Sequence, residues 1–334
     1  MEHWHSEIDS LLQLAGGDPN TFEGEVFHQM VETCLKMIKE RHNTGQLKLM
    51  MRALKEMRYA YSIFNEYQGS PRYSIFGSAR TPEDHPDYQM AKHFAEKMKA
   101  AGWMCITGAA EGIMKAGHEG AQAESSFGLS IRLAFESGAN TYIEGDPKLI
   151  NFRFFFTRKL MFVSHSEAVV VFPGGVGTQD ELFELLTLLQ TGKSNIVPIV
   201  LMEAPGRTYW SQWKEYITEN VIKGGYASPS DLDLVYESRD IDDAVKHINH
   251  FYQRYHSSRY VDRFFVIRMK TRIPAKEIPL LNQEFKEMIK EGEIFQCDAL
   301  PEETDHMDLP RLVFKYDRHH PGTLRKLIDR INDI

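Results

Sequence analysis

The sequence predicts an α/β protein with a doubly wound, Rossmann-like parallel sheet, an N-terminal helical extension and a small C-terminal α+β unit. Two observations lead to this fold class. Between about residues 72 and 256, short apolar runs alternate with longer helical stretches, which is typical of a parallel sheet covered by helices on both faces. In addition, the apolar run at 168–172 enters a glycine-rich turn that a helix follows.

We divide the chain into three regions: 1–70, 71–257 and 258–334. Residues 24–67 show helical periodicity without any strand signal, with one apolar face from Val26 to Ile38 and a second from Leu47 to Met57. The sequence Gly69-Ser70-Pro71 ends this helical extension.

The central region alternates strands and helices. We predict strands at 73–76, 103–107, 128–133, 168–172 and 196–201, with a weaker one at 234–236, and helices at 87–101, 113–124, 147–163 and 181–190. Parallel sheets bind ligands at the carboxyl ends of their strands. The loops after Phe76, Thr107 and Phe172 should therefore converge on one site.

The C-terminal region changes to the order strand, helix, strand, strand, helix, at 261–269, 276–289, 294–299, 312–316 and 324–331. A basic string, Arg254, Arg259 and Arg263, lies near its boundary. We consider two roles for the end regions, oligomerisation and nucleotide sensing, and favour oligomerisation.

Composition narrows the functional class. The 47 acidic and 39 basic residues give a net charge of −8, which argues against a broad nucleic-acid-binding surface. No apolar run has membrane-spanning length, and the start of the chain lacks the order of a signal peptide. Cys34, Cys105 and Cys297 are few and far apart, as in reduced cytosolic proteins. We expect a cytoplasmic protein without nucleic-acid or membrane partners.

The turn Pro173-Gly174-Gly175-Val176-Gly177-Thr178 is the most informative motif. Glycines let backbone N–H groups approach a ligand closely, and a helix start adds unpaired donors and a positive dipole end. The turn is therefore predicted to hold a phosphate. We place Glu181 on the first turn of the following helix, where repulsion by a phosphate makes a carboxylate poor for binding alone. Glu181 is therefore predicted to have a chemical role.

Two further strand ends carry glycine loops. Gly77-Ser78-Ala79-Arg80 offers a hydroxyl and a guanidinium for phosphate or ribose oxygens, and Gly108 begins the loop after the second strand. Either loop alone could be a tight turn, but three such loops at strand ends favour a common site.

Upstream of the glycine turn, Arg158-Lys159 lies in an aromatic, apolar helix. Buried charges need partners, so we predict that Arg158 faces a phosphate or a carboxylate. The alternative is a surface pair whose aliphatic stems lie along the apolar face.

Arg158-Lys159 together with Pro173-Gly174-Gly175-x-Gly177-Thr178-x-x-Glu181 resembles the LONELY GUY (LOG) family, long misnamed lysine decarboxylases, over roughly residues 72–256. The flanking extensions resemble the longer bacterial members, which include purine and pyrimidine 5′-nucleotide nucleosidases. The resemblance implies hydrolysis of nucleoside 5′-monophosphates to free base and ribose 5-phosphate. It also implies catalytic roles for Arg158 and Glu181. This chain departs from the family at Ala109-Ala110, where consecutive glycines are common.

The candidate site therefore has catalytic residues Arg158 and Glu181, and substrate or phosphate contacts from Gly77, Ser78, Arg80, Gly108, Lys159, Gly174, Gly175, Val176, Gly177 and Thr178. Glu181 would stabilise positive charge on the ribose or activate water. Arg158 would hold the phosphate or keep Glu181 ionised. The chemistry requires no metal and no organic cofactor. The alternative function is a non-catalytic nucleotide or cofactor carrier of the same fold.

The predicted helix 147–163 places Arg158 near its C-terminal end, at the opposite sheet edge from the glycine turn. Arg158 would reach the site only from an unusually placed helix or from a second subunit. We therefore expect a homodimer or higher homo-oligomer.

Several other motifs are set aside. Thr191-Gly192-Lys193-Ser194 resembles the end of a P-loop, but Thr187 occupies the position of the earlier glycine and a helix precedes it. We interpret it as a helix C-cap. The pairs His247/His250 and His319/His320 lack companion metal ligands.

Overall fold

The computed structural model describes residues 4–132 and 138–334, which form two compact units, Met1–Tyr59 and Ala60–Ile334. The first unit is helical, as predicted. It contains α1 (His5–Leu14), α2 (Phe22–Lys39) and most of α3 (Thr44–Asn65). The Thr21 side chain accepts a hydrogen bond from the Gly24 backbone N–H at 3.1 Å, which caps α2. The division of the chain at residues 70 and 257 stays a prediction.

The second unit is built on a parallel seven-stranded sheet, which confirms the predicted fold class. Its strands are β1 (Arg72–Phe76), β2 (Met104–Thr107), β3 (Ser126–Ile131), β4 (Leu149–Phe152), β5 (Ala168–Val171), β6 (Ile199–Met202) and β7 (Val235–Ser238). The strand order is β4-β3-β2-β1-β5-β6-β7. The order reverses at β1, between β2 and β5, and such a switch point opens a crevice at the carboxyl ends of the strands.

Helices cover both faces of this sheet. They are α4 (Pro86–Ala100), α5 (Ile113–Ala121), α6 (Phe155–His165), α7 (Val176–Gln190), α8 (Tyr209–Tyr216) and α9 (Ile241–Phe251). One core packs Ile75 and Val170 of the sheet against Phe94 of α4. The other core packs Val171 of the sheet and Leu185 of α7 together with the C-terminal region.

The C-terminal region forms an antiparallel sheet in the order β10-β11-β9-β8. Its elements are β8 (Tyr255–Val261), β9 (Phe264–Met269), α10 (Ile278–Glu284), β10 (Ile289–Cys297), β11 (Arg311–Tyr316) and α11 (Pro321–Asp333). The predicted single strand at 261–269 is wrong, because Asp262, with φ of +50°, turns the chain between β8 and β9.

Two local corrections bear on the site. The predicted helix at 147–163 is instead β4 followed by α6, which begins at Phe155. The predicted helix at 181–190 begins five residues earlier, at Val176. Of the predicted strand 128–133, Leu133 lies outside the described residues. Within the described parts of the chain, no helix combines the length and the apolar character needed to cross a membrane.

Candidate active site

The three glycine loops meet at the carboxyl edge of the parallel sheet. The Ser78 backbone N–H donates to the Pro173 carbonyl at 3.1 Å, and the Ile113 N–H donates to the Ser78 carbonyl at 3.1 Å. The loop after β1 therefore bridges the glycine turn and the start of α5. This is the convergence that the alternation of strands and helices predicts.

The glycine turn presents backbone donors to the surface. Gly175 is the N-cap of α7, and the first backbone hydrogen bond of the helix runs from the Gln179 N–H to the Gly175 carbonyl at 3.1 Å. The N–H groups of Val176 to Thr178 precede that bond and have no intrahelical acceptor. Gly175, Val176 and Gly177 are exposed, so the turn has the donors and the access that an anion needs.

Only glycine fits at position 174, because the backbone there packs closely against Thr178 and Ser78. A β-carbon at this position would lie 2.6 Å from the Thr178 Cβ and 3.0 Å from the Ser78 N. No side chain fits there without moving the loop. The Tyr209 hydroxyl donates to the Gly174 carbonyl at 2.6 Å and also accepts from Gln179 Nε2 at 2.8 Å. Tyr209 thereby ties the turn to α8.

Arg158 and Glu181 face each other within one chain. Arg158 Nη2 lies 3.6 Å from Glu181 Oε1, and the two side chains are only 14% and 9% exposed. The expected position of Arg158 at the far sheet edge is wrong. Because β4 occupies 149–152, the helix starts later and Arg158 lies in its first turn, near the glycine loops. A β-carbon at Gly108 would lie 3.7 Å from Arg158 Nη1.

Glu181 occupies the second turn of α7, not the first turn as expected, because the helix starts at Val176. The Cα atom of Glu181 therefore lies about 7.5 Å along the helix axis from that of Val176. Burial raises the pKa of Glu181 to about 7, although Arg158 and Lys159 lower it. The role predicted for Arg158, to hold the phosphate or to keep Glu181 ionised, stays a prediction. A carboxyl with a pKa near 7 is suited to accept and return a proton.

Comparison with known proteins identifies this part of the molecule. Residues 106–248 match the family model described as "Possible lysine decarboxylase". Cytokinin riboside 5′-monophosphate phosphoribohydrolase LOG1 of Arabidopsis thaliana is 28% identical over 98 residues, which cover 29% of this chain and 44% of that protein. The corresponding enzyme of Rhodococcoides fascians is 32% identical over 88 residues, which cover 26% of this chain and 42% of that protein. Residues 106–248 are therefore similar to the LOG family.

The chain spans less than half the length of these curated relatives. Among solved structures, a molybdenum cofactor binding protein of Rippkaea orientalis is 16% identical with a TM-score of 0.39, covering 55% of this chain and 98% of that chain. The molybdenum cofactor carrier protein of Chlamydomonas reinhardtii is 19% identical with a TM-score of 0.38, covering 54% of this chain and 97% of that chain.

Two other predicted site residues, Lys159 and Arg80, contact protein groups. Lys159 Nζ lies 2.8 Å from Asp180 Oδ2 and 2.5 Å from Glu184 Oε2, so it ties α6 to α7. Arg80 is exposed, and its backbone N–H donates to Ser78 Oγ at 3.1 Å. Contacts of Lys159 and Arg80 with a substrate stay predictions, as does the contact predicted for Gly77 at the end of β1.

Asn140 supports the loop at Ala109-Ala110, where the sequence departs from the pattern of the LOG family. Ala109 has a φ of +62°, a left-handed conformation that is unusual for alanine. Asn140 Nδ2 donates to the carbonyls of Ala109 and Ala110 at 3.1 and 3.0 Å. Neither Asn140 nor Tyr209 could be recognised in the sequence, because their partners are distant backbone carbonyls that leave no local pattern.

Proposed function

We propose that this protein hydrolyses the N-glycosidic bond of nucleoside 5′-monophosphates, of the adenosine monophosphate or cytokinin nucleotide type, and releases the free base and ribose 5-phosphate. The observation that carries the proposal is the pairing of Arg158 with the buried carboxyl of Glu181, whose pKa is raised to about 7, beside an exposed helix N-terminus. Related enzymes named phosphoribohydrolases support the same reaction.

The exposed N–H groups of Gly175, Val176 and Gly177 would bind the 5′-phosphate, helped by the α7 dipole. The spacing along α7 supports this arrangement. Glu181 lies about one and a half helical turns after Val176, the first residue of α7. This spacing would leave room for a ribose between a phosphate at the glycine turn and the carboxylate. This removes the electrostatic conflict that a carboxylate on the first turn would create.

Glu181 in its ionised form would accept a proton from water that attacks C1′ of the ribose. The bond between C1′ and the base nitrogen breaks, the water oxygen bonds to C1′, and one proton ends on the departing base. The same carboxylate would stabilise the positive charge that develops on the sugar ring as the base leaves.

The positive charge of Arg158 would act on two groups, the Glu181 carboxylate and the substrate. Its guanidinium faces Glu181 at 3.6 Å and approaches Gly108 in the neighbouring loop. It therefore favours the ionised form of Glu181, and it lies where it can also attract substrate oxygens. The scheme uses protein groups and water alone.

The decisive experiment incubates wild type and Glu181→Gln with a panel of purine and pyrimidine nucleoside monophosphates, and measures free base and ribose 5-phosphate. We expect wild type to release both products in equal amounts, and Glu181→Gln to be slower by about 10²–10⁴-fold. Glu215→Gln, at an exposed carboxyl on α8, is the matched control and should retain most activity. If wild type binds nucleotides but releases no base, the protein is a carrier.

We also propose a homodimer. The sequence predicted a dimer because Arg158 was expected to lie far from the glycine turn of its own chain. That reason no longer applies, because Arg158 faces Glu181 within one chain. A different observation supports it: Phe155 and Phe156, at the start of the helix that carries Arg158, are 49% and 53% exposed. Such exposed aromatic side chains favour burial against a second copy. Light scattering after size exclusion should give twice the chain mass, and Phe156→Asp should give monomers. A monomeric wild type contradicts this proposal.

A further inference from the structure

A second cavity lies at the other edge of the parallel sheet from the glycine turn. Its volume is about 630 Å³, within the range of about 300–1,000 Å³ that is usual for small-molecule sites. Ser166 and Glu167, which precede β5, and Val197, which precedes β6, form one wall. Strand β8 of the C-terminal sheet forms the facing wall.

Positive charge dominates the lining of this cavity. Lys193, Arg259 and Arg318 line it, against one carboxylate, Glu167. The Glu167 carboxylate is engaged elsewhere, because its Oε2 accepts the Arg72 backbone N–H at 2.7 Å. Local positive charge in a chain with a net charge of −8 indicates a site for an anion.

Two of the three cations are available to a ligand. Arg259 Nη1 lies 3.1 Å from Asp305 Oδ1. Among the residues that the structure describes, no carboxylate oxygen lies within 4.0 Å of the Lys193 or Arg318 cationic nitrogens. Lys193 belongs to the Thr191–Ser194 sequence that resembles the end of a P-loop. Its backbone N–H donates to the Leu188 carbonyl at 2.8 Å, which places it just after α7.

Aromatic side chains also line the cavity. The Arg318 guanidinium lies over the Tyr260 ring, 4.3 Å from its centre. Tyr252, Tyr255 and Phe265 also line the cavity. Aromatic rings beside cations that have no carboxylate partner among the described residues fit a ligand that carries both a planar ring and phosphate groups.

We propose that this cavity is a second ligand-binding site, for a nucleoside diphosphate or a similar phosphorylated metabolite with a planar ring. Lys193 and Arg318 bind the phosphates, and the tyrosine-rich wall contacts the ring. The site is separate from the glycine turn, and its occupancy does not depend on hydrolysis.

The cavity also contacts the two helices that carry the catalytic pair. Leu160 and Val163 of α6, and Leu189 and Gln190 of α7, line it. A ligand there touches the C-terminal parts of the helices whose N-terminal parts hold Arg158 and Glu181. Occupancy should therefore change the rate of base release, an effect that rests on the proposed function.

Binding is tested by isothermal titration calorimetry with adenosine diphosphate and, separately, inorganic pyrophosphate. Lys193→Ala and Arg318→Ala should each weaken binding at the cavity by about fivefold to thirtyfold, because each removes a charged contact to phosphate. Lys246→Ala is the matched lysine control, exposed and away from the cavity. Arg263→Ala is the matched arginine control, since Arg263 also lies over an aromatic ring, at 5.5 Å from the centre of Phe264.

Binding at the cavity must be distinguished from binding at the glycine turn, because both sites attract phosphate. Gly177→Asp does this, since a side chain at Gly177 meets nothing within 4 Å and an added carboxylate repels phosphate at the turn. We expect Gly177→Asp to keep one adenosine diphosphate site, which Lys193→Ala and Arg318→Ala weaken.

If Gly177→Asp abolishes all binding while the cavity variants bind normally, the cavity is not a ligand site. Absence of binding by wild type overturns the proposal in the same way. If wild type releases no base but the cavity still binds adenosine diphosphate, only the proposed hydrolysis fails.

Discussion

Replacing the Glu181 carboxyl by an amide should stabilise the protein increasingly as the pH rises. Burial raises the pKa of Glu181 from its ordinary value of 4.5 to about 7. A raised acid pKa means that the folded state holds this proton more tightly than the unfolded state. The carboxyl therefore costs no stability below pH 4.5, and the cost grows between pH 4.5 and 7.

The magnitude follows from the pKa difference. At 1.36 kcal/mol per pKa unit, ionisation of Glu181 reduces the free energy of unfolding by about 3 kcal/mol above pH 7, and by less than about 1 kcal/mol at pH 5. Glutamine resembles the protonated acid and carries no such penalty. The stability advantage of Glu181→Gln over wild type should thus grow by about 2–3 kcal/mol between pH 5 and pH 8.

Differential scanning calorimetry of both proteins at pH 5, 6, 7 and 8 measures this advantage. For a unit of this size, the difference in melting temperature should widen by about 4–8 °C across the series. Glu215→Gln, at an exposed carboxyl on α8, corrects for the general effect of exchanging a carboxyl for an amide. If the difference in melting temperature between wild type and Glu181→Gln stays constant from pH 5 to 8, the pKa of Glu181 is not raised.

The same titration should appear in catalysis. If Glu181 acts as a base, kcat/KM for base release falls about tenfold per pH unit below a midpoint near 7. A profile that is flat between pH 5 and 8 removes Glu181 from the proton-transfer step.

Three further substitutions test the surroundings of the site. Arg158→Ala removes a positive charge near Glu181, so the pH midpoint of kcat/KM should move upward and the rate should fall. An unchanged midpoint would show that the ion pair does not affect the pKa of Glu181. Gly174→Ala should lower the free energy of unfolding by about 1–3 kcal/mol through overpacking, whereas Gly175→Ala, with open space around it, should melt like wild type. Tyr209→Phe should raise KM by about fivefold to tenfold by releasing the glycine turn, and the exposed Tyr216→Phe on the same helix should leave KM unchanged.

The alternation of apolar runs was sufficient to predict the parallel sheet and the meeting of the three loops. Strand burial and glycine turns are local properties, and they leave a local pattern. Strand β4 was missed because Leu149–Phe152 is a short apolar run next to another apolar stretch, and such runs have no periodicity that separates strand from helix. That one error moved Arg158 to the wrong end of its helix.

The electrostatics of the site could not be predicted from the sequence. The pKa of Glu181 depends on how completely the fold removes water from the carboxyl, and the motif alone does not fix that. The roles of Tyr209 and Asn140 depend on carbonyl groups about 30 residues away along the chain. The second cavity needs the C-terminal sheet to pack beside the amino ends of β5 and β6, which no single motif encodes.

In the proposed reaction, the glycine turn holds the phosphate of a substrate that Arg158 and Glu181 cleave. Comparing kcat/KM for a nucleoside 5′-monophosphate and the corresponding nucleoside tests it most directly. The phosphate should improve kcat/KM by at least about a hundredfold, because charge-assisted hydrogen bonds to it fix the position of the sugar. Equal values for the two substrates, or no base release from either, would contradict the account.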